Sequence, residues 1–598
     1  MRIALIGMGP TGLLALAKLF SLALRHPTVS VTIIGIDAQP PAQGVHCSDQ
    51  PAYLRLNTQA RQLSMFEEGD YSLFAEWVFR PNLYEWVAHF HPEAIQTEPG
   101  IDVFLPRQYL GLYLQWYYVQ LLGLTPGNVD LQGCQCRVEA VESASQGRLR
   151  LRPWPEADAA FDTVILCTGH GVAQRPNAGA DASAYSGLAN LESIGAGQRV
   201  AIQGVGLAAM DGVAALTVGR GGVFTPGAHG LEYCPSGREP LISLYSNCGM
   251  PYRARPRFDA AAISHRPLLL TAPAIDRMRA QVPQGKLDYD RDLLPLLLAE
   301  MQIAYYCAAA SQAQVSGEAY AQQYQQTLQG LQRAHAHGRL PEAMAQLAEL
   351  HGAYPLQEAL AYCPPSHLTN DSYPDWFLAQ LTTDLVQSAQ GCQRSPWKHS
   401  LEIWRDLIVP LCHAIDYQGL EDTSHQAFHR YQYPLIKRWL AGPPIERQCE
   451  LIALLRQGLV SILPGYQATD RYDPLTRQHT VTLEQPGPHV ATFDHVLKLN
   501  TSGAQTLRDL RVLLNPGHRA CLPRPPRSPM IITRASPCRR PGKTFTYSGP
   551  RWRALPISIT TFPQAGPRGS PPVWNAAWAR CFRRASALGH PSGGWRLR

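Results

Sequence analysis

The strongest constraint on this chain is Gly7-Met8-Gly9-Pro10-Thr11-Gly12, read together with what flanks it. Before it runs Arg2-Ile3-Ala4-Leu5-Ile6, a short apolar stretch of the kind buried on both faces of a parallel sheet. After it come an apolar helical run to Leu24 and a second strand, Val29 to Asp37, that ends on an acid. Strand, glycine turn, helix, strand and acid form the context in which GxGxxG reads as a dinucleotide site. Gly7 makes the tight turn, Gly9 lets the backbone approach a pyrophosphate, and Gly12 lets the helix pack on the strand. Pro10 and Thr11 open that helix, whose N-terminus offers unpaired N–H groups and a positive dipole end to phosphate. Asp37 is placed to accept hydrogen bonds from ribose hydroxyls, which suits FAD or NAD and repels a 2′-phosphate. The alternative is a turn that keeps the fold and binds nothing.

The pattern recurs at Val200-Ala-Ile-Gln-Gly204-Val-Gly206-Leu-Ala-Ala209, with alanine in the third glycine's place. The next apolar strand, Pro240 to Ser246, ends without an acid. Arg253 and Arg255 follow it, and Arg220 sits in the turn Gly219–Gly222. Guanidinium groups pair well with a 2′-phosphate, so this second site is expected to take NADPH rather than NADH. The other reading is that these arginines merely solvate a loop, or that the second unit is structural.

The net charge of +7 conceals an asymmetry. The stretch Arg511 to Arg598 holds 16 Lys and Arg and no acid, leaving 37 basic and 46 acidic side chains before it. The main body is therefore acidic, and a nucleic-acid role is not expected of it. The segment from about 511 reads as an Arg/Pro-rich tail, either unstructured or an aberrant reading of a GC-rich coding region. The 14 cysteines include no CxxC, and the Cys134/Cys136 pair reads as one strand face without a ligand. No metal site is expected, and a reduced, cytoplasmic protein fits best. Leu293 to Ala310 is apolar but interrupted by Glu300 and Gln302, which favours a buried helix over a membrane span.

Residues 259–469 turn helical, with helix-like runs at Tyr320 to Leu350, Trp397 to Ala414 and Pro444 to Leu463. His335, His337, His351, His399 and His413 lie there, and none of these is assigned a metal or catalytic role. Phe493 to Asn500 reads as a last strand.

Several motifs together carry a resemblance. Gln50-Pro-Ala-Tyr-Leu-Arg-Leu-Asn57-Thr, Phe104-Leu-Pro-Arg107-Gln-Tyr-Leu, Leu166-Cys-Thr168-Gly169-His170, Cys248-Gly-Met-Pro-Tyr-Arg253-Ala-Arg255-Pro and Ala441 to Arg447 are similar to segments of the bacterial FAD/NAD(P)-binding proteins. These two-dinucleotide flavoproteins are distant relatives of the flavin-dependent lysine and ornithine N-hydroxylases. The resemblance spans about residues 1–503. It implies that the Asn57 loop lies near the isoalloxazine, that Arg107 helps hold FAD, and that Thr168-Gly169 ends a strand beside it. Asn57 as a turn former and Arg107 as a surface helix residue remain open. Thr501-Ser-Gly503 resembles a second strand end near the flavin, and the usual ribitol-binding segment beyond it is not found.

The expected fold is α/β: an FAD-type Rossmann domain (1–195 and 470–510), an inserted NAD(P) Rossmann unit (196–258) and a helical insert (259–469). The implied function is an FAD-dependent, NADPH-linked oxidoreductase, a monooxygenase of N-hydroxylase type acting on a small polar metabolite. A flavin-dependent dehydrogenase or reductase that does not use oxygen, and a non-catalytic nucleotide-binding protein, are the alternatives. No acid–base residue is assigned, because the cofactors carry such chemistry.

Overall fold

The computed structural model describes residues 1–44, 46–66, 73–74, 77, 79–96, 103–154, 159–167, 191–228, 230–257, 263–314, 316–416 and 418–499, with the strands at 511–513, 518–521 and 530–534. Thr168, Gly169, Thr501 to Gly503 and most of the Arg/Pro-rich segment lie outside the described residues.

The first sheet is built on β1 (Arg2–Ile6), flanked in parallel by β2 (Val31–Asp37) and β6 (Thr163–Leu166), with β3 (Val129–Gln135) beside β2. Alternation sends Ile3 and Leu5 to one face and Ala4 and Ile6 to the other. On the first face the helices Pro10–Arg25 and Arg107–Gly123 supply Leu13, Leu16, Phe20, Leu110, Tyr113 and Leu114 to one core. On the other face lies a small sheet of β4 (Ala140–Ser143) and β5 (Leu149–Arg152) with Phe161.

The second sheet has the order β11-β10-β7-β15, from Val460–Ile462, Leu241–Tyr245, Arg199–Gln203 and His495–Leu497, all parallel. The helices Leu207–Leu216, Tyr373–Arg394 and Ile445–Arg456 cover one face. An antiparallel sheet of Tyr466–Asp473, Gln478–Gln485 and His489–Phe493 covers the other.

Three expectations are corrected here. Residues 460–497 serve the second unit, so they do not belong with the first as the 470–510 assignment had it; Asp494 accepts from the Arg199 amide and fixes that pairing. The helix expected to run to Leu463 stops at Arg456, where Gly458 turns with φ +73° and the chain continues as a strand. In the basic segment, Arg511–Leu513 pairs with β4, and Met530–Arg534 lies antiparallel between β6 and His518–Cys521, so its opening residues extend existing sheets.

Helices dominate residues 272–456. The apolar run is the helix Leu294–Ser311, the one described helix long and apolar enough to cross a membrane. It is mostly buried here, and its Glu300 is fully enclosed. The Glu300 carboxylate accepts from the Leu270 amide at 3.0 Å and meets His265 Nε2 at 2.8 Å. His265 Nδ1 faces the Tyr324 hydroxyl at 3.0 Å, and that hydroxyl faces His399 Nε2 at 3.1 Å. The Tyr324 hydroxyl thus bridges the two imidazoles, and His265 joins that bridge to the Glu300 carboxylate.

Burial, and next the neighbouring His265, push the His399 imidazole down to about 3. Between the usual histidine range near pH 6.5 and that value the unfolded chain binds a proton that the folded chain refuses. Stability therefore falls as pH drops through this window, by up to about 1.4 kcal/mol per pH unit from this group. Denaturant midpoints at pH 6.5, 5.5 and 4.5 check it: His399→Asn should show a shallower decline, and parallel curves would refute the assignment.

Candidate dinucleotide sites

Both glycine turns stand at the carboxyl ends of parallel strands, where open α/β sheets bind ligands. At the first, the Gly7 amide donates to Ile36 O at 2.7 Å, the Cys167 amide donates to Ile6 O at 2.6 Å, and Gly7 has φ +94°. This left-handed backbone is open to glycine at little cost. A Cβ on Gly12 would overlap the Gly7 carbonyl oxygen, so Gly12 is required by close packing of turn and helix. Gly9 is different: a Cβ there would meet nothing closer than Gly44 Cα at 3.5 Å. The fold itself leaves room at Gly9, as expected if the glycine serves an approaching ligand.

The helix Pro10–Arg25 begins with Gly9 at its N-cap, no side-chain cap and Pro10 in the first turn. Thr11 lies in that uncapped turn, where free N–H groups and the dipole suit an anion. Asp37 ends β2; its Oδ2 accepts from the Met8 amide at 2.7 Å and its Oδ1 from the Gln39 amide at 3.0 Å. Each carboxylate oxygen keeps a further acceptor site for a ribose hydroxyl.

Asn57 lies on the 53–59 strap, which crosses beside the second unit. Directly after it, the Thr58 hydroxyl and the Gln59 side-chain amide nitrogen are buried without a hydrogen-bond partner among the described residues. Buried polar atoms of this kind are costly unless a ligand answers them. Sequence reading stopped one residue short of this pair. The open space at Gly9, the uncapped helix and the unanswered Thr58 and Gln59 atoms fit an elongated, polar, anionic cofactor such as FAD.

At the second turn the Gly204 amide donates to Tyr245 O at 2.6 Å with φ +111°, and Gly206 caps the helix Leu207–Leu216 without a side-chain cap. Ala209 is buried in that helix. The Tyr252 ring lies 3.0 Å from where a Gly206 Cβ would stand, so packing as well as a ligand calls for glycine there.

The arginines do not come together as expected. Arg253 is buried over Trp397, with its guanidinium 2.7 Å from Glu358 and 3.4 Å from Asp384. Arg255 is fully enclosed, donates to Asn57 O at 3.3 Å and faces Glu402 at 3.6 Å. Both are engaged by carboxylates of the helical body. Arg220 donates to Arg238 O and Leu191 O. Arg107 is buried and not a surface residue: its Nη2 meets the Asp211 carboxylate at 2.6 Å. No group of three or more His, Cys, Asp or Glu able to hold a metal occurs among the described residues.

Residues 4–171 match the FAD-NAD(P)-binding family. Over most of its length the chain is also similar to enzymes of known activity. It is 28% identical to the nitrosuccinate-forming L-aspartate N-monooxygenase of Streptomyces cremeus, covering 78% of this chain and 75% of that one. It is 28% identical to the nitrosuccinic acid synthase npaA of Aspergillus oryzae, covering 77% and 73%. Among solved structures it is similar to the FAD-bound cadaverine monooxygenase DfoA of Erwinia amylovora, at 12% identity over 83% of this chain and 77% of that one, with a TM-score of 0.33. The protein is a flavin-dependent NAD(P)H oxidoreductase with an α/β fold.

Proposed function

We propose that this protein is an NADPH-linked, FAD-bearing N-monooxygenase that oxidises the amine of a small amino dicarboxylic acid of the L-aspartate kind, and that it works in the cytoplasm. The observation that carries the reading is the likeness to aspartate N-monooxygenases across three-quarters of both chains, in a protein that folds two dinucleotide turns. NADPH is preferred because β10 ends on Tyr245, with no acid to repel a 2′-phosphate. When bound, FAD would supply the redox chemistry, hydride acceptance from NADPH and dioxygen activation.

The chain's own residues bind and orient. Gly7, Gly9 and Gly12 cradle the FAD pyrophosphate, Asp37 holds the ribose, and Asn57, Thr58 and Gln59 present polar atoms toward the flavin. Gly204, Gly206 and Ala209 form the NADPH turn. The domain division that follows is 1–167 for FAD, 191–257 with 460–497 for NADPH, and the helices between as a cover that keeps water from the cleft.

The purified protein is expected to carry flavin absorbance, to bleach with NADPH without oxygen, and to take up oxygen in an L-aspartate-dependent manner. Bleaching without aspartate-dependent uptake would point to a reductase or another substrate. Absence of bound flavin even after incubation with FAD would overturn the reading.

A further inference from the structure

The Arg107–Asp211 contact joins the two dinucleotide units through the residue that sequence reading had assigned to FAD. Arg107 opens the helix Arg107–Gly123, whose Leu110, Tyr113 and Leu114 lie in the first unit's core. Asp211 lies on the helix that begins at Gly206, among Ala209, Met210 and Val213 of the second unit's core. The side chains are 6% and 7% exposed, so this ion pair is nearly dry.

The same arginine grips the strap. Its backbone amide donates to Leu54 O at 2.8 Å and its Nε to Arg55 O at 3.0 Å. Arg447, on the helix Ile445–Arg456, also donates to the strap at Tyr53 O while its other arm meets Glu450 at 2.6 Å. The Tyr53 ring packs against Gly219, just past the Asp211 helix. A continuous path thus runs from the second glycine turn through Asp211 and Arg107 to the strap that ends at Asn57, Thr58 and Gln59.

We propose that Asp211, paired with Arg107, is a positioning residue that fixes the second dinucleotide unit against the strap and so sets the distance between nicotinamide and flavin. The proposal rests on the two-cofactor reading above. Burial pushes the Asp211 carboxyl up while Arg107 and then Arg447 pull it down, so the charged form depends on its partners. Removing one partner of such a pair loosens the joint, because a buried charge is left without its complement. Hydride transfer is sensitive to such looseness: a displacement of about 1 Å costs roughly 100-fold in rate.

The test uses Asp211→Asn, with Arg107→Lys and Asp211→Glu as charge-retaining variants should the first fail to fold. Two quantities are read: the rate of anaerobic flavin reduction at saturating NADPH, and amide hydrogen exchange across 207–216 in protein freed of FAD. The expectation is a reduction rate lowered tenfold or more, 2′,5′-ADP affinity within threefold of wild type, and faster exchange in 207–216. Partial recovery in Arg107→Lys or Asp211→Glu supports the pair's role. A reduction rate within twofold of wild type, with unchanged exchange, overturns it. Should wild type fail to bleach with NADPH, the two-cofactor reading falls, and the exchange measurement alone decides whether Asp211 holds the two units together.

Discussion

Gly12→Ala is expected to cost this protein its first dinucleotide unit, whereas Gly9→Ala is expected to leave the fold intact and abolish flavin retention. The difference follows from what each added methyl meets. At Gly12 it runs into the Gly7 carbonyl oxygen, part of a turn pinned by the hydrogen bond from the Gly7 amide to Ile36 O. Turn and helix must then separate, at a cost at or beyond the upper end of about 1–3 kcal/mol. At Gly9 the nearest atom is Gly44 Cα at ordinary contact distance, and φ is −76°, which alanine adopts freely. Any loss there comes from the ligand, because the methyl stands where the backbone must approach a pyrophosphate. Thermal midpoint and flavin-to-protein absorbance ratio separate the two effects. Stoichiometric flavin in Gly9→Ala would show that this turn is not the pyrophosphate cradle.

Lys398→Met should destabilise the protein by about 3 kcal/mol, because it strips a buried anion of its main partner. Lys398 Nζ lies 2.6 Å from Asp384 Oδ1 and 3.0 Å from Ala254 O, and both side chains are buried. Burial foremost pulls the ammonium below its ordinary range, opposed by Asp384, so the pair is stable only as a pair. Asp384 also accepts from the Ala254 amide at 2.7 Å, and Ser388 Oγ bonds Ala254 O. The segment carrying Arg253 and Arg255 is thereby pinned to the helical body. Lys286→Met is the control: its partner Asp422 is 78% exposed, and loss of such a pair costs less than about 1 kcal/mol. Equal shifts in guanidinium midpoint for the two variants would contradict this account.

The legible parts of the fold were those whose cause is local. Gly7, Gly9, Gly12, Gly204 and Gly206 announce themselves because backbone angle and close approach are decided within a few residues, and the flanking strands fell within two residues of expectation. What could not be read is pairing over distance. Arg253 and Arg255 follow β10 in sequence, which suggested a phosphate partner. Their carboxylate partners Asp384 and Glu402 lie more than 125 residues further on. Arg107 finds Asp211 across 104 residues, and no local signal marks either as half of a buried pair. Thr58 and Gln59 were within reach, since one closes the Gln50–Thr58 motif and the other follows it, but their burial is a tertiary fact.

The pairing of Arg199 with Asp494 also bears on how the protein is made. The parallel strands of the first unit, β1, β2, β3 and β6, are all in hand by residue 166. The second sheet lacks its β15 edge until the chain has grown by a further 295 residues beyond Arg199. At about 5–20 residues per second the ribosome needs roughly 15–60 s for that stretch, far longer than local folding takes. The first glycine turn can therefore form and meet its cofactor while the second still awaits a strand. FAD loading during synthesis would precede nicotinamide binding, and nascent chains arrested near residue 250 should show the first event without the second.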